Sequence, residues 1–314
     1  MSSQHAADVS RLVGCLMGLA LGDAACAPFE GGVVERALWR LIGRTRDGKQ
    51  RYTDDTQMSL DLAETLIAGQ GNLDQQALAD AFARGYRWSR GYGPGAAKIL
   101  KKIRRGMPWQ QASRSVYPDG SFGNGAAMRA PVVAVIAHGD SQRVDDLAIA
   151  SAEITHAHPL AVAAARLIAH ACAQALLSRS PAEVLDTLCA LELPHEISDK
   201  LQQLCAWFSA GSTPTHRELR RFVGVGMTAT ESPLAAIWFA LCCHDADFED
   251  LLALVIKHGG DTDTIAAMAG AIWGAWHGQA ALPVQRIQQL ENAGRIQAVG
   301  ERLHALRAQP SGDG

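Results

Sequence analysis

The chain has 314 residues, of which 19% are charged, and its formal net charge at pH 7 is −3. This weak acidity provides no global field that would attract nucleic acid or an anionic membrane surface. The seven cysteines form no CxxC motif and lie mostly in apolar segments. They are typical of small buried hydrophobic residues in a reducing compartment, and a disulfide framework is not expected.

The N-terminal segment is polar, so it does not resemble a secretory signal, and the apolar run from Leu12 to Ala27 contains Asp23. We expect no stretch that is long and apolar enough to span a bilayer. The sequence therefore favours a cytoplasmic protein without a membrane partner.

Alanine-rich segments with apolar residues at spacings of three and four predict helices along most of the chain. No series of alternating strands is evident, and glycine and proline punctuate the loops. The predicted helices cover 12–22, 56–68, 76–88, 126–137, 145–152, 159–177, 233–243, 248–257 and 264–277. The expected fold class is all-α: a single compact many-helix bundle over residues 1–314, with 1–8 and 308–314 frayed.

The first predicted helix carries small residues and is followed by two acidic groups in apolar surroundings. Gly18 and Gly22 would let this helix pack closely against a neighbour. Asp23 fits a structural hydrogen-bonding role as well as a functional one. Glu30 lies on a Pro/Gly-rich loop, from which it could act as an acid or base, although most isolated glutamates are simply solvated.

Two acidic clusters lie about two hundred residues apart, at Thr53-Asp54-Asp55-Thr56 and at Gly259-Gly260-Asp261-Thr262-Asp263-Thr264. Each precedes an apolar helical run, so each could serve only as a helix N-cap. Four converging carboxylates would repel one another unless cations lay between them, and oxygen ligands suit Mg²⁺, Mn²⁺ or Ca²⁺. We therefore predict a two-metal site at helix N-termini and loops, which requires both ends of the chain to fold together.

Three further segments could bind or orient a ligand. The glycine-rich run 120–125 opens a predicted helix, where free backbone N–H groups would suit a diphosphate. His156 and His158 precede another helix, and without further His or Cys nearby they fit substrate orientation or helix capping better than zinc binding. The basic, aromatic stretch from Arg84 to Arg105 favours a solvated helix face over a rim that attracts an anionic substrate.

These motifs, in this order, resemble the ADP-ribosylglycohydrolase family. The resemblance covers roughly residues 11–280 and is carried by GLALGD…PFE, YTDDT, SFGNGAAMR, ITHAHP and GGDTDTIAAMAGAIWGAWHG. It implies an all-α enzyme with two divalent cations, Mg²⁺ in preference to Mn²⁺, that acts on an ADP-ribosylated protein or an ADP-ribose-containing small molecule. We also expect a monomer, and the small net charge gives no reason to expect a nucleic-acid partner.

The resemblance also implies roles for particular residues. The implied metal ligands are Thr53, Asp54, Asp55, Asp261, Asp263 and Thr264. The implied substrate-binding residues are Gly120, Ser121, Phe122, Gly123, Asn124, Gly125, His156, Tyr92 and Gly93. Glu30 is the candidate acid or base, and Asp54 or Asp55 could assist it while also contacting metal.

Two branches of the family compete as models for this chain. The runs 90–93, 120–125 and 231–233 resemble the mammalian type that cleaves serine-linked ADP-ribose and poly(ADP-ribose). The run 154–160 is more similar to dinitrogenase reductase-activating glycohydrolase, which acts on ADP-ribosylarginine. We favour the O-linked type because more of its motifs are present. A two-metal phosphoesterase and a non-catalytic ADP-ribose-binding protein are the alternatives from other classes.

Overall fold

The computed structural model describes residues 3–307, and over that range the chain forms only helices and irregular connections. The α-helices, numbered α1 to α17 in chain order, are Ser3–Cys26, Val33–Ile42, Asp54–Ala68, Gln75–Gly85, Pro94–Arg104, Trp109–Arg114, Pro131–Ala137, Ser141–Glu153, Pro159–Leu176, Pro181–Cys189, His195–Ser209, His216–Phe222, Ser232–Cys242, Phe248–His258, Thr262–His277, Val284–Gln289 and Ala293–Arg307. Single 3₁₀ turns lie at Ala27–Phe29, Trp88–Arg90, Asn124–Ala126 and Gln279–Ala281. The all-α prediction is confirmed.

The predicted frayed ends fall mostly outside this range. Residues 1–2 and 308–314 lie outside the described part of the chain, whereas 3–8 belong to the first turns of α1. Buried hydrophobic residues from α1 through α17 form one core cluster. The assignment of residues 1–314 to a single domain stays a prediction.

Each of the nine predicted helical segments overlaps a helix, with two instructive differences. The segment 76–88 ends early, at Gly85. The segment 126–137 is a 3₁₀ turn and a separate helix that begins at Pro131, because proline lacks an N–H and fits the first helical position. Eight helices of the described range have no counterpart among the predicted segments: α2, α5, α6, α10 to α12, α16 and α17. Of these, α10 and α12 carry the capping boxes Ser180 with Glu183 and Thr215 with Glu218, a sequence signal that identifies helix starts.

The central helices α1 and α15 pack together antiparallel at backbone contact distance. Small residues face each other at three levels, in the pairs Gly14–Gly274, Gly18–Gly270 and Gly22–Ala266. A Cβ atom on Gly18 would overlap the carbonyl oxygen of Gly270. Steps of four residues keep the contacts on one face of each helix. This geometry confirms that the small residues of α1 permit a close helix contact.

The close contact also brings the two acidic clusters together. Because the helices run in opposite directions, the last turns of α1, with Asp23, lie beside the first turn of α15, with Asp263. The hydroxyl of Thr262 donates to the carbonyl of Cys26 at 3.1 Å and fastens this end of the pair. The backbone of Thr53, just before α3, donates to Asp23 at 2.8 Å. The tertiary packing thus joins positions 53–55 with positions 261–263.

Two segments of the fold, Asp8–Phe29 and Pro159–Leu176, are long and apolar enough to cross a membrane by length and composition. The prediction that the chain has no such stretch is therefore wrong. In the fold, 83% and 72% of their most apolar windows are buried. A helix enclosed by other helices is apolar on every side, so composition alone does not distinguish a core helix from a membrane span.

Candidate active site

A cleft of about 390 Å³ opens where the two acidic clusters meet the glycine-rich turn. One part of its wall consists of carboxylates, from Glu30, Asp54, Asp55, Asp261 and Asp263. The remaining predicted residues that line it are Thr264, Gly93, Gly120, Ser121, Phe122, Gly123, Asn124, Gly125 and His156. The cleft therefore unites nearly all of the residues that the sequence motifs singled out.

The first acidic cluster begins α3, and its shape is fixed by Thr53 and Asp23. Thr53 is the N-cap residue, and its hydroxyl donates to Asp55 Oδ2 at 2.7 Å. Asp23, fully buried, accepts from the backbone N–H groups of Thr53 and Thr56 and from the Thr56 hydroxyl. Since Thr53 provides the cap, the aspartates of this cluster are not needed for capping. Asp23 has at least the structural role that the sequence left open.

The second acidic cluster lies at the junction between a strained loop and α15. Gly259 and Gly260 have φ of 65° and 92°, and a Cβ on Gly260 would overlap the carbonyl of Val225, so glycine is required there. Asp261 occupies the N-cap position but makes no side-chain capping bond, whereas Asp263 Oδ1 accepts from the backbone of Thr264 at 2.9 Å. The Asp261 side chain is therefore not used for capping, and it lines the cleft.

The carboxylates converge in two overlapping groups. Oxygens of Asp23, Asp55 and Asp263 lie within 4.8 Å of one another, as do oxygens of Glu30, Asp261 and Asp263. Burial, reinforced by neighbouring carboxylates, raises the pKa of Asp55 and of Asp263 well above the usual range. Asp55 Oδ1 is buried and has no hydrogen-bond partner among the described residues. An all-oxygen donor set with an unpartnered buried oxygen fits a hard divalent cation.

Glu30 follows the 3₁₀ turn after α1 and reaches the edge of this cluster. Burial, and then the charge of Asp261, raises the pKa of Glu30 to about 7, while a hydrogen bond with Asp263 opposes the shift. A carboxyl group that titrates near neutrality is suited to donate and to accept a proton. Glu30 is thus placed in the cleft and is not simply a solvated glutamate.

The glycine-rich turn differs from its predicted form. It opens a single 3₁₀ turn, Asn124–Ala126, because the following α-helix starts only at Pro131. The Asn124 side chain does not project freely into the cleft: its amide donates to Ser232 Oγ at 2.7 Å and to Asp261 Oδ2. The prediction that the turn opens an α-helix is therefore wrong, whereas diphosphate binding by the turn stays a prediction. The turn is instead linked directly to the second acidic cluster.

The two histidines have different positions and hydrogen bonds. His158 is the N-cap of α9, and its Nδ1 accepts from the backbone of Leu160 at 3.2 Å. His156 lies under the glycine-rich turn and lines the cleft, and a Cβ on Gly125 would approach its Cε1 to 2.6 Å. Burial, with a contribution from Arg129, lowers the pKa of His156 to about 3, so this imidazole is neutral. One histidine caps a helix, and the other faces the cleft.

Two predicted site residues do not line the cleft. Tyr92 is buried and packs edge-on against Tyr86, with ring centroids 4.9 Å apart, because the turn after Arg90 directs its ring into the core. Thr53 lies behind the aspartates as the cap of α3. In the basic stretch, Lys98 and Lys101 are exposed on α5, as expected for a solvated face. The cleft also includes residues that the motifs did not suggest, namely Met58, Tyr117, Met227 and Thr228.

Comparison with known proteins shows the family of the chain. A sequence model of the ADP-ribosylglycohydrolase family matches residues 4–312. The chain belongs to the ADP-ribosylglycohydrolase family. It is 31% identical to human ADP-ribosylhydrolase ARH3 and 32% identical to the bovine protein, over 96% of this chain and 94% of each relative. A solved structure described as an ADP-ribosylglycohydrolase-related protein complex superimposes with a TM-score of 0.72 and 25% identity, covering 96% of this chain and 99% of that one.

Membership in the ADP-ribosylglycohydrolase family confirms the resemblance and makes the chain a glycohydrolase that acts on ADP-ribosylated substrates. The acidic groups of this family member could bind metal. Because this family consists of glycohydrolases, two of the alternative functions are excluded, namely a phosphoesterase and a non-catalytic binding protein.

Proposed function

We propose that the chain is a metal-dependent ADP-ribosylhydrolase that releases ADP-ribose from O-linked acceptors, with serine the favoured linkage. The observation that carries the proposal is the position of Glu30, whose carboxyl group lies within 4.8 Å of Asp261 and Asp263 oxygens at the edge of the cleft. There a single carboxyl group lies next to the carboxylate cluster and also lines the cleft that would hold the substrate. The named ARH3 relatives support the same activity class.

Two divalent cations, Mg²⁺ in preference to Mn²⁺, would be held by the acidic residues that line the cleft. Asp54, Asp55, Asp261, Asp263 and Thr264 would serve as ligands, with Thr53 and Asp23 orienting them. Their charge would hold ribose hydroxyls and a water molecule close to the anomeric carbon. Oxygen donors alone in a buried site disfavour softer metals.

Glu30 is the proposed group that exchanges a proton with the departing acceptor oxygen or with the attacking water. Cleavage at the anomeric carbon develops oxocarbenium character, and the leaving alkoxide of a serine benefits from a positioned acid. Asp54 and Asp55, which begin α3 in the cleft, are proposed to assist by orienting the water.

The glycine-rich turn is the proposed cradle for the remainder of ADP-ribose. Gly123 and Gly125 leave the surface bare of side chains next to His156, so a diphosphate can approach the backbone closely. Ser121 and Phe122 line the same region, and Phe122 presents a partly exposed ring. Gly93, across the turn after Trp88–Arg90, is proposed to contact the ribose, whereas Tyr92 supports that turn from the core.

The arginine linkage is the competing specificity, supported by the similarity of residues 154–160 to the arginine-type branch. His158 in that run caps α9 and is not among the residues that line the cleft. We also propose that the enzyme is monomeric and cytoplasmic. We expect no nucleic-acid partner, in keeping with the small net charge.

The test is a side-by-side assay of the purified chain with Mg²⁺ on serine-linked, arginine-linked and polymeric ADP-ribose, with products identified by mass spectrometry. We expect intact ADP-ribose and fastest release from the serine conjugate. Preferential cleavage of the arginine conjugate would overturn the linkage while leaving the activity class. Equal rates with Mg²⁺ and with excess EDTA would overturn metal dependence.

A further inference from the structure

Behind the glycine-rich turn lies a fully buried guanidinium, that of Arg129, which has no ion-pair partner among residues 8–307. Its Nη1 donates to the carbonyl of Gly125 at 2.6 Å, and its Nε donates to Ser151 Oγ at 3.1 Å. The guanidinium also lies over the ring of Phe82, 4.9 Å from the centroid. Burying a charged guanidinium without a carboxylate partner costs folding free energy unless neutral acceptors satisfy its N–H groups. The hydrogen bonds of Arg129 to neutral acceptors therefore point to a specific role for this side chain.

The remaining guanidinium nitrogen connects Arg129 to His156. Arg129 Nη2 donates to the backbone carbonyl of Ser151 at 2.7 Å and to Thr155 Oγ1 at 3.1 Å. Thr155 Oγ1 in turn lies 2.8 Å from His156 Nδ1. Thr155 is fully buried, and these two are its only side-chain partners among the described residues. Arginine, threonine and histidine therefore form a single chain of hydrogen bonds.

The direction of each bond follows from the donors available. A guanidinium has only donors, so the Thr155 oxygen accepts from Arg129. The Thr155 hydroxyl proton must then go to an acceptor, and His156 Nδ1 is the one within reach. The reverse arrangement, with a proton on Nδ1, would leave the buried hydroxyl proton unpaired, at a cost of about 1–3 kcal/mol. A neutral imidazole with an accepting Nδ1 carries its proton on Nε2.

The geometry points to a positioning role for Arg129 and Thr155: they hold His156 as the Nε2–H tautomer, so that it donates a hydrogen bond to an oxygen of the ligand in the cleft. His156 Nε2 lies on the cleft side, where a Cβ on Gly123 would come within 3.3 Å of it. The inference deepens the proposed function, because the oxygen it requires is that of an ADP-ribose phosphate or ribose. The low pKa of His156 agrees with a neutral ring.

The first measurement determines which ring nitrogen of His156 carries the proton. In the full-length, Mg²⁺-loaded protein with ¹⁵N-labelled histidine, we expect the His156 resonances, assigned by their loss in His156→Gln, to show an unprotonated Nδ1 and a protonated Nε2. A protonated Nδ1 in the wild type overturns the inference. Since this reading needs neither substrate nor turnover, it is separate from any failure of the proposed function.

The second experiment breaks the chain of hydrogen bonds from Arg129 through Thr155 to His156. Thr155→Val keeps the shape but loses the hydroxyl, and we expect ADP-ribose to bind roughly 10-fold more weakly by calorimetry, with a mixture of His156 tautomers. Thr155→Ser restores the donor and should recover the tautomer and most of the affinity. Thr65→Val, which removes a buried hydroxyl from α3 away from the cleft, is the control for lost stability.

Unchanged affinity and an unchanged tautomer in Thr155→Val would overturn the positioning role of Thr155. Should Thr155→Val fail to fold, the inference is still tested by the His156 tautomer of the wild type and by its comparison with Thr155→Ser. A wild type that has the Nε2–H tautomer but binds no ADP-ribose would refute the ligand assignment and, with it, the proposed function.

Discussion

At one end of the cleft, carboxylates from α3, α15 and the Glu30 loop crowd together, whereas at the other end a lone buried guanidinium stands behind a bare glycine turn. In the first region burial and like charges raise the pKa of Asp55 and Asp263. In the second, burial lowers the pKa of Arg129 to about 9 and that of His156 to about 3. The carboxylate region therefore suits a bound cation, whereas at the glycine-turn end the protein itself provides the positive charge of Arg129 and a ring N–H of His156.

The comparison teaches that a ligand such as ADP-ribose can be recognised by two opposite electrostatic means in one cleft. Asn124 connects them, since it belongs to the glycine turn and donates to Asp261. Changes at the carboxylate end should therefore affect cation binding and turnover, and changes at the glycine end should affect affinity for the ligand. The following predictions test that division, beginning with the largest effect.

Asp263 belongs to both carboxylate groups, so Asp263→Asn should lower turnover most strongly, by about 100-fold or more, since even partners of metal ligands cost 10–100-fold. The metal-free variant should melt no lower than metal-free wild type, because one source of buried repulsion is gone. Mg²⁺ should raise its melting temperature less than that of the wild type. Asp245→Asn, whose carboxylate is 98% exposed, is the matched control. Full activity of Asp263→Asn would contradict the two-metal site.

Glu30→Gln should lose roughly 10²-fold of the activity on a serine conjugate, the usual scale for a lost general acid or base. Because Glu30 lies at the edge of the carboxylate group, the variant should still bind ADP-ribose. Single-turnover rates and calorimetry separate the two effects. Preferential cleavage of an arginine conjugate that is unaffected by Glu30→Gln would replace the O-linked assignment with the arginine-type one.

Gly18→Ala should destabilise the fold by about 1–3 kcal/mol, the usual cost of overpacking a tight contact. The added Cβ would push α1 away from Gly270 and so disturb the meeting of Asp23 with α15. Urea unfolding measures the first effect, and the Mg²⁺-dependent rise in melting temperature measures the second. The same change at Gly294, which has open space around it, should leave both intact. Equal stability of the two variants would show that the helix contact is looser than described.

Gly123→Val should weaken ADP-ribose binding by roughly 10-fold, the loss expected from one charge-assisted hydrogen bond. Its backbone, with φ of −70°, accepts a side chain, but the added atoms would lie over His156 Nε2. The stabilisation by Mg²⁺ should be unchanged, since Gly123 belongs to the other end of the cleft. A fall in Mg²⁺ response equal to the fall in ligand affinity would mean that the two ends act as one unit.

Several features of this protein follow from the sequence alone. Long alanine-rich apolar runs predict the helices that form the core, such as α9 and α15, because a helix that is buried on many sides is apolar along most of its length. Paired aspartates before apolar runs indicate a cation-binding cluster, because that much buried negative charge needs compensation. Motif order indicates the family. The spacing fails at 126–137, where Pro131 divides the segment, and it misses short helices such as α10, whose capping box is the clearer signal.

Other features depended on contacts between distant parts of the chain. Only the fold brings Asp23 to Thr53 at the start of α3, and only the fold turns Asn124 toward Asp261. The same holds for the histidines, because the neighbours of the side chain decide that His158 caps a helix while His156 faces the cleft. Tyr92 turns inward for the same reason. The sequence by itself determined which groups carry the chemistry; tertiary contacts decided where each one points, because side-chain direction depends on partners that local sequence does not specify.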